Sequence, residues 1–240
     1  MDESTRETMF SSKSDEWSTP QDLYDYLDLK YGPFHLDPCA TKESAKCPNF
    51  LTMEDDALSP PHFHPDMGWG HMYWNAFVNP PYSDIKRWTE AAYLHGQWND
   101  RLCALLIPSR TCTKYFHDYC MKAHTIVFIK GRLKFGDNKN SAPFPSMVAL
   151  FGAYVGGQIN RTGKPLVDMI DYGVVKAEHE DVVKKIKERN DEMRGFIVKC
   201  FEGVDPTGMA GEHFSTGMMK ANKKAAKRLC RYMGFTDLLG

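Results

Sequence analysis

Residues 76–82 read Ala76-Phe77-Val78-Asn79-Pro80-Pro81-Tyr82. The three apolar residues predict a buried strand, and the paired prolines, which have no N–H for a ladder, stop it. Working outward, helix is predicted over 85–95 and 114–122. Strands are predicted over 102–107, where Pro108 ends the run, over 125–130 and over 147–154. Upstream, Ser18-Thr19-Pro20 opens a predicted helix through Lys30, with Thr19 as its cap and Pro20 at its first position. Gly32-Pro33 breaks it, and Phe34-His35-Leu36 makes a short strand that ends at Asp37-Pro38. Residues 59–71, rich in Pro, His and Gly, predict a loop. Strands alternating with helices indicate an α/β fold with a largely parallel sheet.

Composition bounds the rest. The 240 residues carry 30 basic and 31 acidic side chains, a net charge of −1, so any attraction to a polyanion must come from a local patch. The nearly apolar run 147–155 is too short to span a membrane. The polar opening predicts a mobile arm over 1–14 and no secretion signal. Seven cysteines, none spaced Cys-x-x-Cys, fit reduced thiols in a cytoplasmic protein. Cys39, Cys47, His62 and His64 have spacings of no familiar metal site, so no metal is expected. The texture changes near residue 156, which predicts a catalytic domain over 15–155 and a partly helical extension over 156–240. Residues 176–194 hold six basic and six acidic side chains and predict a solvated helix with Val182, Val183, Ile186 and Met193 inward. Residues 218–231 hold no acid. There Lys220, Lys223, Lys224, Lys227, Arg228 and Arg231 recur at three- and four-residue steps, a cationic helix face suited to DNA phosphates.

The turn Asn79-Pro80-Pro81-Tyr82 follows a strand at the carboxyl edge of the sheet, where such folds bind ligands. The Asn79 side-chain oxygen and the Pro80 carbonyl can each accept a hydrogen from an exocyclic amino or amide group, aiming its lone pair at an electrophile. The prolines stiffen the turn, and Tyr82 offers a face for a planar group. Phe34 to Ala40 is a second strand running into a sharp turn, and one of Glu54, Asp55 and Asp56 could hold ribose hydroxyls or an amino group.

These segments together resemble the phage-type DNA N6-adenine methyltransferases. The matching stretches are Glu16-Trp17-Ser18-Thr19-Pro20, Leu36-Asp37-Pro38-Cys39-Ala40, residues 50–58, and Val78 to Ser83. Residues 106–111, 131–135 and 142–146 complete the ordered set, which covers about 15–152. The resemblance implies a Rossmann-like sheet, S-adenosylmethionine as methyl donor, and double-stranded DNA as partner, with a target adenine flipped out of the duplex. By position it implies a cofactor site from Trp17, Thr19, Pro20, Asp37, Pro38, Cys39, Ala40 and Asp55 or Asp56. Asn79, Pro80, Pro81 and Tyr82 become the catalytic turn, Tyr82 with Phe144 or Phe135 enclosing the base. Arg110 and Arg132, near strand ends, are further candidates for phosphate contact. The wider class has Gly-x-Gly after the first strand, where this chain has Cys39-Ala40-Thr41-Lys42. The short interval from Asp37 to Asn79 predicts that elements of the usual sheet are missing. N4-cytosine transfer, a protein glutamine methyltransferase and a catalytically silent DNA-binding module are the alternative readings. The resemblance implies no obligate protein partner and action in the cytoplasm of a bacterial or phage-infected cell.

Overall fold

A computed structural model describes residues 18–64, 66, 68–69, 74–97, 101–136, 140–202, 224–228, 230–231 and 234–239. The predicted arm over 1–14, Trp17, Lys220 and Lys223 lie outside the described residues. The chain divides into two compact units, residues 1–179 and 180–240.

The first unit is built on a seven-stranded sheet. Its strands are β1 (Leu36–Asp37), β2 (Asn49–Phe50), β5 (Ala76–Val78), β6 (Cys103–Pro108), β7 (Thr125–Lys130), β8 (Ser146–Phe151) and β11 (Leu166–Asp171). Across the sheet they lie in the order β11-β7-β8-β6-β5-β1-β2. All pairings are parallel except those of β8, which runs antiparallel to both β6 and β7. Small hairpins β3 (Phe63–His64) with β4 (Gly68–Trp69), and β9 (Tyr154–Val155) with β10 (Gln158–Ile159), lie outside it. The predicted 59–71 loop therefore contains a hairpin.

Both faces of the sheet are covered, so its central strands are apolar throughout. Phe77, Ala104, Leu106, Val148 and Leu150 pack on one side with Leu23 and Leu27 of α1 (Gln21–Tyr31) and Val175 of α4 (Tyr172–Ala177). Ala76, Val78, Leu105, Ile107 and Ala149 face the other way. They meet Trp88, Ala91 and Ala92 of α2 (Ile85–Gly96) and Phe116 of α3 (Lys114–Asp118). Helix α2 approaches β8 so closely that a Cβ on Gly96 would stand 2.5 Å from the Phe151 Cβ.

Four expectations are corrected. Thr19 does not cap α1; Pro20 occupies that position without a side-chain cap, and the Thr19 hydroxyl bonds elsewhere. The strand expected over 147–154 ends at Phe151, because Gly152 turns the chain at a φ of 152°. The boundary expected at 155 is too early. β11 pairs in parallel with β7 over six residues, and its exposed Val167 and Met169 mark it as a sheet edge that apolar patterning alone hides. Finally, Val183 is 46% exposed on α5 (His179–Glu202), whereas Val182 is buried. Among the described residues of the short 37–79 interval, β2 alone extends the sheet beyond β1.

His95 clamps the segment before β5 to α2. Its Nδ1 accepts from the Trp69 backbone N–H at 3.1 Å, and its Nε2 lies 2.9 Å from the Trp74 carbonyl. Burial, aided by the Arg101 charge, pulls the imidazole down to about 4. The unfolded chain thus takes up this proton first, so the histidine's contribution falls as pH drops from about 6.5 to about 4. Asp37, pushed up to about 6 by burial, works in the opposite direction over that range. Comparison with a variant separates the two. The stability advantage of the wild type over His95→Gln is expected to shrink by on the order of 3 kcal/mol across that window in urea titrations, and a pH-independent gap would contradict it.

Candidate active site

β1 is flanked by β2 on one side and β5 on the other, so the chain reverses its direction of travel across the sheet at the β1–β5 junction. Connections leave the carboxyl ends of those strands in opposite directions and open a crevice there. A cavity of about 690 Å³ occupies this place. That is ample for a cofactor of nucleoside size.

One wall is the turn Asp37-Pro38-Cys39-Ala40. The Asp37 carboxylate shapes it by accepting from the backbone N–H groups of Cys39 at 3.4 Å and Lys46 at 3.2 Å. Ala40 N–H bonds the Leu51 carbonyl at 3.0 Å, tying the turn to the chain that leaves β2. Opposite stand Asn79 and Pro81, and the Asn79 backbone amide lies against the Cys39 thiol. A third wall comes from the strap before α1. Ser18 accepts at its carbonyl from Gly136 N–H at 2.8 Å, and Thr19, only 4% exposed, accepts at Oγ1 from Asn79 Nδ2 at 3.0 Å. Gly136 takes a φ of 52°, which favours glycine at this point of the wall.

The acids separate cleanly. Asp55 closes a capping box, its Oδ2 accepting from both the backbone N–H and the hydroxyl of Thr52 at 2.8 Å, and these bonds hold its carboxyl below the usual range. Asp56 faces the cavity with Met53, Ala57 and Leu58; Glu54 and Asp55 are absent from its lining.

Thr19, Asp37, Pro38, Cys39, Ala40, Asp56, Asn79 and Pro81 thus meet around one cavity. Pro20, Pro80 and Tyr82 are not among the residues that line it. Tyr82 is half-buried with its ring edge-on to Phe144, centroids 5.4 Å apart at 78°. The two rings are not a parallel pair waiting for a base. Phe144 is 7% exposed, and Phe135 is fully buried in the core, which corrects the expectation that Phe135 presents a stacking face. Arg110 is half-buried, and its charge is felt at the Tyr82 and Tyr115 phenols; Arg132 is exposed. Sequence reasoning missed Lys46, Arg87 and Trp88, which also line the cavity. Arg87 and Trp88 fall in the first turn of α2, directly after the Asn79-Pro80-Pro81-Tyr82 turn, a signal that spacing alone could have supplied.

A mostly parallel sheet with this crevice and this turn on its rim defines a Rossmann-like methyltransferase. A family model described as DNA N-6-adenine-methyltransferase (Dam) matches residues 6–172, and the chain belongs to that family. It is 26% identical over 156 residues to a DNA N-6-adenine-methyltransferase of Escherichia phage T1, covering 65% of this chain and 62% of that protein. It is 28% identical over 155 residues to one of Haemophilus phage HP1, covering 61% and 84%. A putative methyltransferase of Escherichia coli K12, YfdM, is 35% identical over 72 residues, 28% of this chain and 71% of that one.

The Thr19–Asn79 bond spans 60 positions of sequence, and removing its acceptor takes that bond from the Asn79 amide. Thr19→Val is expected to lower unfolding stability by about 0.5–1.5 kcal/mol in urea titrations, with Thr19→Ser close to wild type. Equal stability of all three would remove the bond from the account.

Proposed function

We propose that this chain transfers a methyl group from S-adenosylmethionine to the N6 amino group of adenine in double-stranded DNA. The observation that carries the reading is the meeting of Asn79 and the Asp37-to-Ala40 turn across one cavity at the sheet's reversal point. The family relationship supports it independently.

The donor set fits the cofactor. Asp56 offers a carboxylate to ribose hydroxyls or an adenine amino group, the indole of Trp88 an apolar surface, and Ala40 and Gly136 little side-chain bulk. Asp37 acts one step back, holding the Cys39–Ala40 backbone in place. S-adenosylmethionine, when bound, supplies an electrophilic methyl group on sulfur. The chain's own residues prepare the nucleophile. Thr19 holds the Asn79 amide by its nitrogen, so the amide oxygen is the atom that accepts from the target amino group. The Pro80 carbonyl accepts the second hydrogen. Together they draw the nitrogen lone pair out of conjugation with the ring, and the surplus proton passes to water.

Adenine N6 is beyond reach while stacked and paired, so the base must leave the duplex. Tyr82 offers its ring to the extruded base, and Phe144 acts by fixing the angle of that ring. Arg110, beside Tyr82, suits a neighbouring phosphate. No described helix is long and apolar enough to cross a membrane. None of the seven cysteines is in a disulfide, which suits a reducing compartment.

Incubation with unmethylated duplex and labelled S-adenosylmethionine is expected to place label in N6-methyladenine. Asn79→Ala is expected to lower turnover by at least about 100-fold while keeping the cofactor bound. Label in N4-methylcytosine would overturn the choice of base, and an undiminished Asn79→Ala would overturn the role of the turn. In calorimetry Asp56→Ala is expected to weaken cofactor binding about tenfold or more, one lost charged hydrogen bond. Asp55→Ala is expected instead to lower stability, through loss of the bonds that Asp55 accepts from Thr52, and to leave cofactor binding unchanged. The reverse pattern would exchange their roles.

A further inference from the structure

The strongest charged feature outside the cleft lies in the second compact unit, residues 180–240, beyond the end of the family match at residue 172. Residues 224–228 and 230–231 are helical. Ala226 and Cys230, one turn apart, are 3% and 0% exposed and pack with Ile197 and Cys200 of α5. Phe235, Leu238 and Leu239 close the same small core. Arg194 fastens this end of the chain, pairing with both carboxylate oxygens of Asp237 and lying 5.7 Å from the Phe235 ring centroid.

With one side of the helix buried, the other is held outward. Lys224, Lys227, Arg228 and Arg231 are exposed and line a single depression of about 530 Å³. Among the described residues none of the four belongs to an ion pair, and no acid occurs between residues 218 and 231. Asp237 is already committed to Arg194. Like charges at three- and four-residue steps repel, so this arrangement is unfavourable until an anion answers it. The contrast in sequence is α5, where acids and bases are interspersed along the helix.

We propose that this face binds the phosphate backbone of duplex DNA and holds the substrate without reading its sequence; the proposal rests on DNA being the substrate. The chemistry favours phosphate. Lysine and arginine side chains on one ridge offer point charges and donors to a regular row of anions. The described part of the ridge has no aromatic side chain on which unpaired bases could stack. Its apolar side is spent on Ile197 and Cys200, so it has none left for insertion into a lipid surface. A chain with net charge −1 also needs a local patch to attract DNA at all.

The test uses the full chain carrying Lys224→Gln, Lys227→Gln, Arg228→Gln and Arg231→Gln together, with fluorescence anisotropy on a short random-sequence duplex over a salt series and no cofactor. Circular dichroism checks that the chain stays folded. The slope of log affinity against log salt is expected to become shallower by about 3–4, near 0.9 for each phosphate that is no longer neutralised, with affinity near physiological salt reduced tenfold or more. A control carrying Lys184→Gln, Lys185→Gln and Lys187→Gln on α5 is expected to keep the wild-type slope. An unchanged slope in the fourfold variant, or an equal loss in the control, would overturn the proposal. So would tighter wild-type binding to the matching duplex RNA, lost only in the fourfold variant. The binding readout needs no methyl transfer. A wild-type protein that grips DNA through this face yet methylates no base would sink the reaction and keep the surface. One that methylates DNA while the fourfold variant binds it equally well would do the reverse.

Discussion

Two neighbouring parallel strands run into proline at the same edge of the sheet, and the site depends on that coincidence. β1 and β5 pair with Leu36 opposite Ala76, which brings Pro38 level with Val78 and the turn at Asn79 just beyond. Proline has no N–H to continue a ladder, so both chains must leave the sheet at nearly the same height. Because the strand order reverses between them, they leave in opposite directions and the gap stays open. The cavity is therefore a consequence of topology and of two local stops.

Such a gap is useful only if its walls hold still. The Asp37 carboxylate is spent on the backbone amides of Cys39 and Lys46; burial raises its affinity for a proton, and those bonds hold the rise down. The turn Asn79-Pro80-Pro81-Tyr82 is restrained from three directions: by Cys39 beneath its backbone, by Thr19 at the Asn79 side chain, and by Phe144 against Tyr82. None of these partners is near Asn79 in sequence. Asn79 and Tyr82 are thus preorganised by distant parts of the chain, as a group must be if its hydrogen bonds are to favour a transition state without first rearranging.

The division at residue 180 separates two kinds of physics. The first unit buries a two-sided sheet, and nearly all of its stabilising surface is apolar and shared among many strands. The second has a core of a few residues, Ile197, Cys200, Ala226 and Cys230 among them, pinned by the Arg194–Asp237 pair. A core that small serves mainly to orient what lies on its outside, and what lies there is charge.

Much of this was legible in the amino-acid sequence, for identifiable reasons. Short apolar runs ended by proline or glycine determined β5, β6 and β7 almost to the residue, since a fully buried strand must be apolar on both faces. The position of the Asn79-Pro80-Pro81-Tyr82 turn was legible because paired prolines cannot continue a strand. The edge strand β11 escaped notice because only half of its side chains are buried, and Thr19 looked like a helix cap because local spacing cannot see a partner 60 positions away. Phe135 and Phe144 could be read as stacking surfaces until packing turned one into the core and the other edge-on. That Asp56 lines the cavity and Asp55 does not likewise follows from folding, in which the Thr52 amide claims the Asp55 carboxylate. The sequence by itself determined the central buried strands and set the Asn79-Pro80-Pro81-Tyr82 turn at the end of one of them, because both are set by local residue type. Only the tertiary structure decided which side chains face the cavity, because that follows from long-range hydrogen bonds and packing.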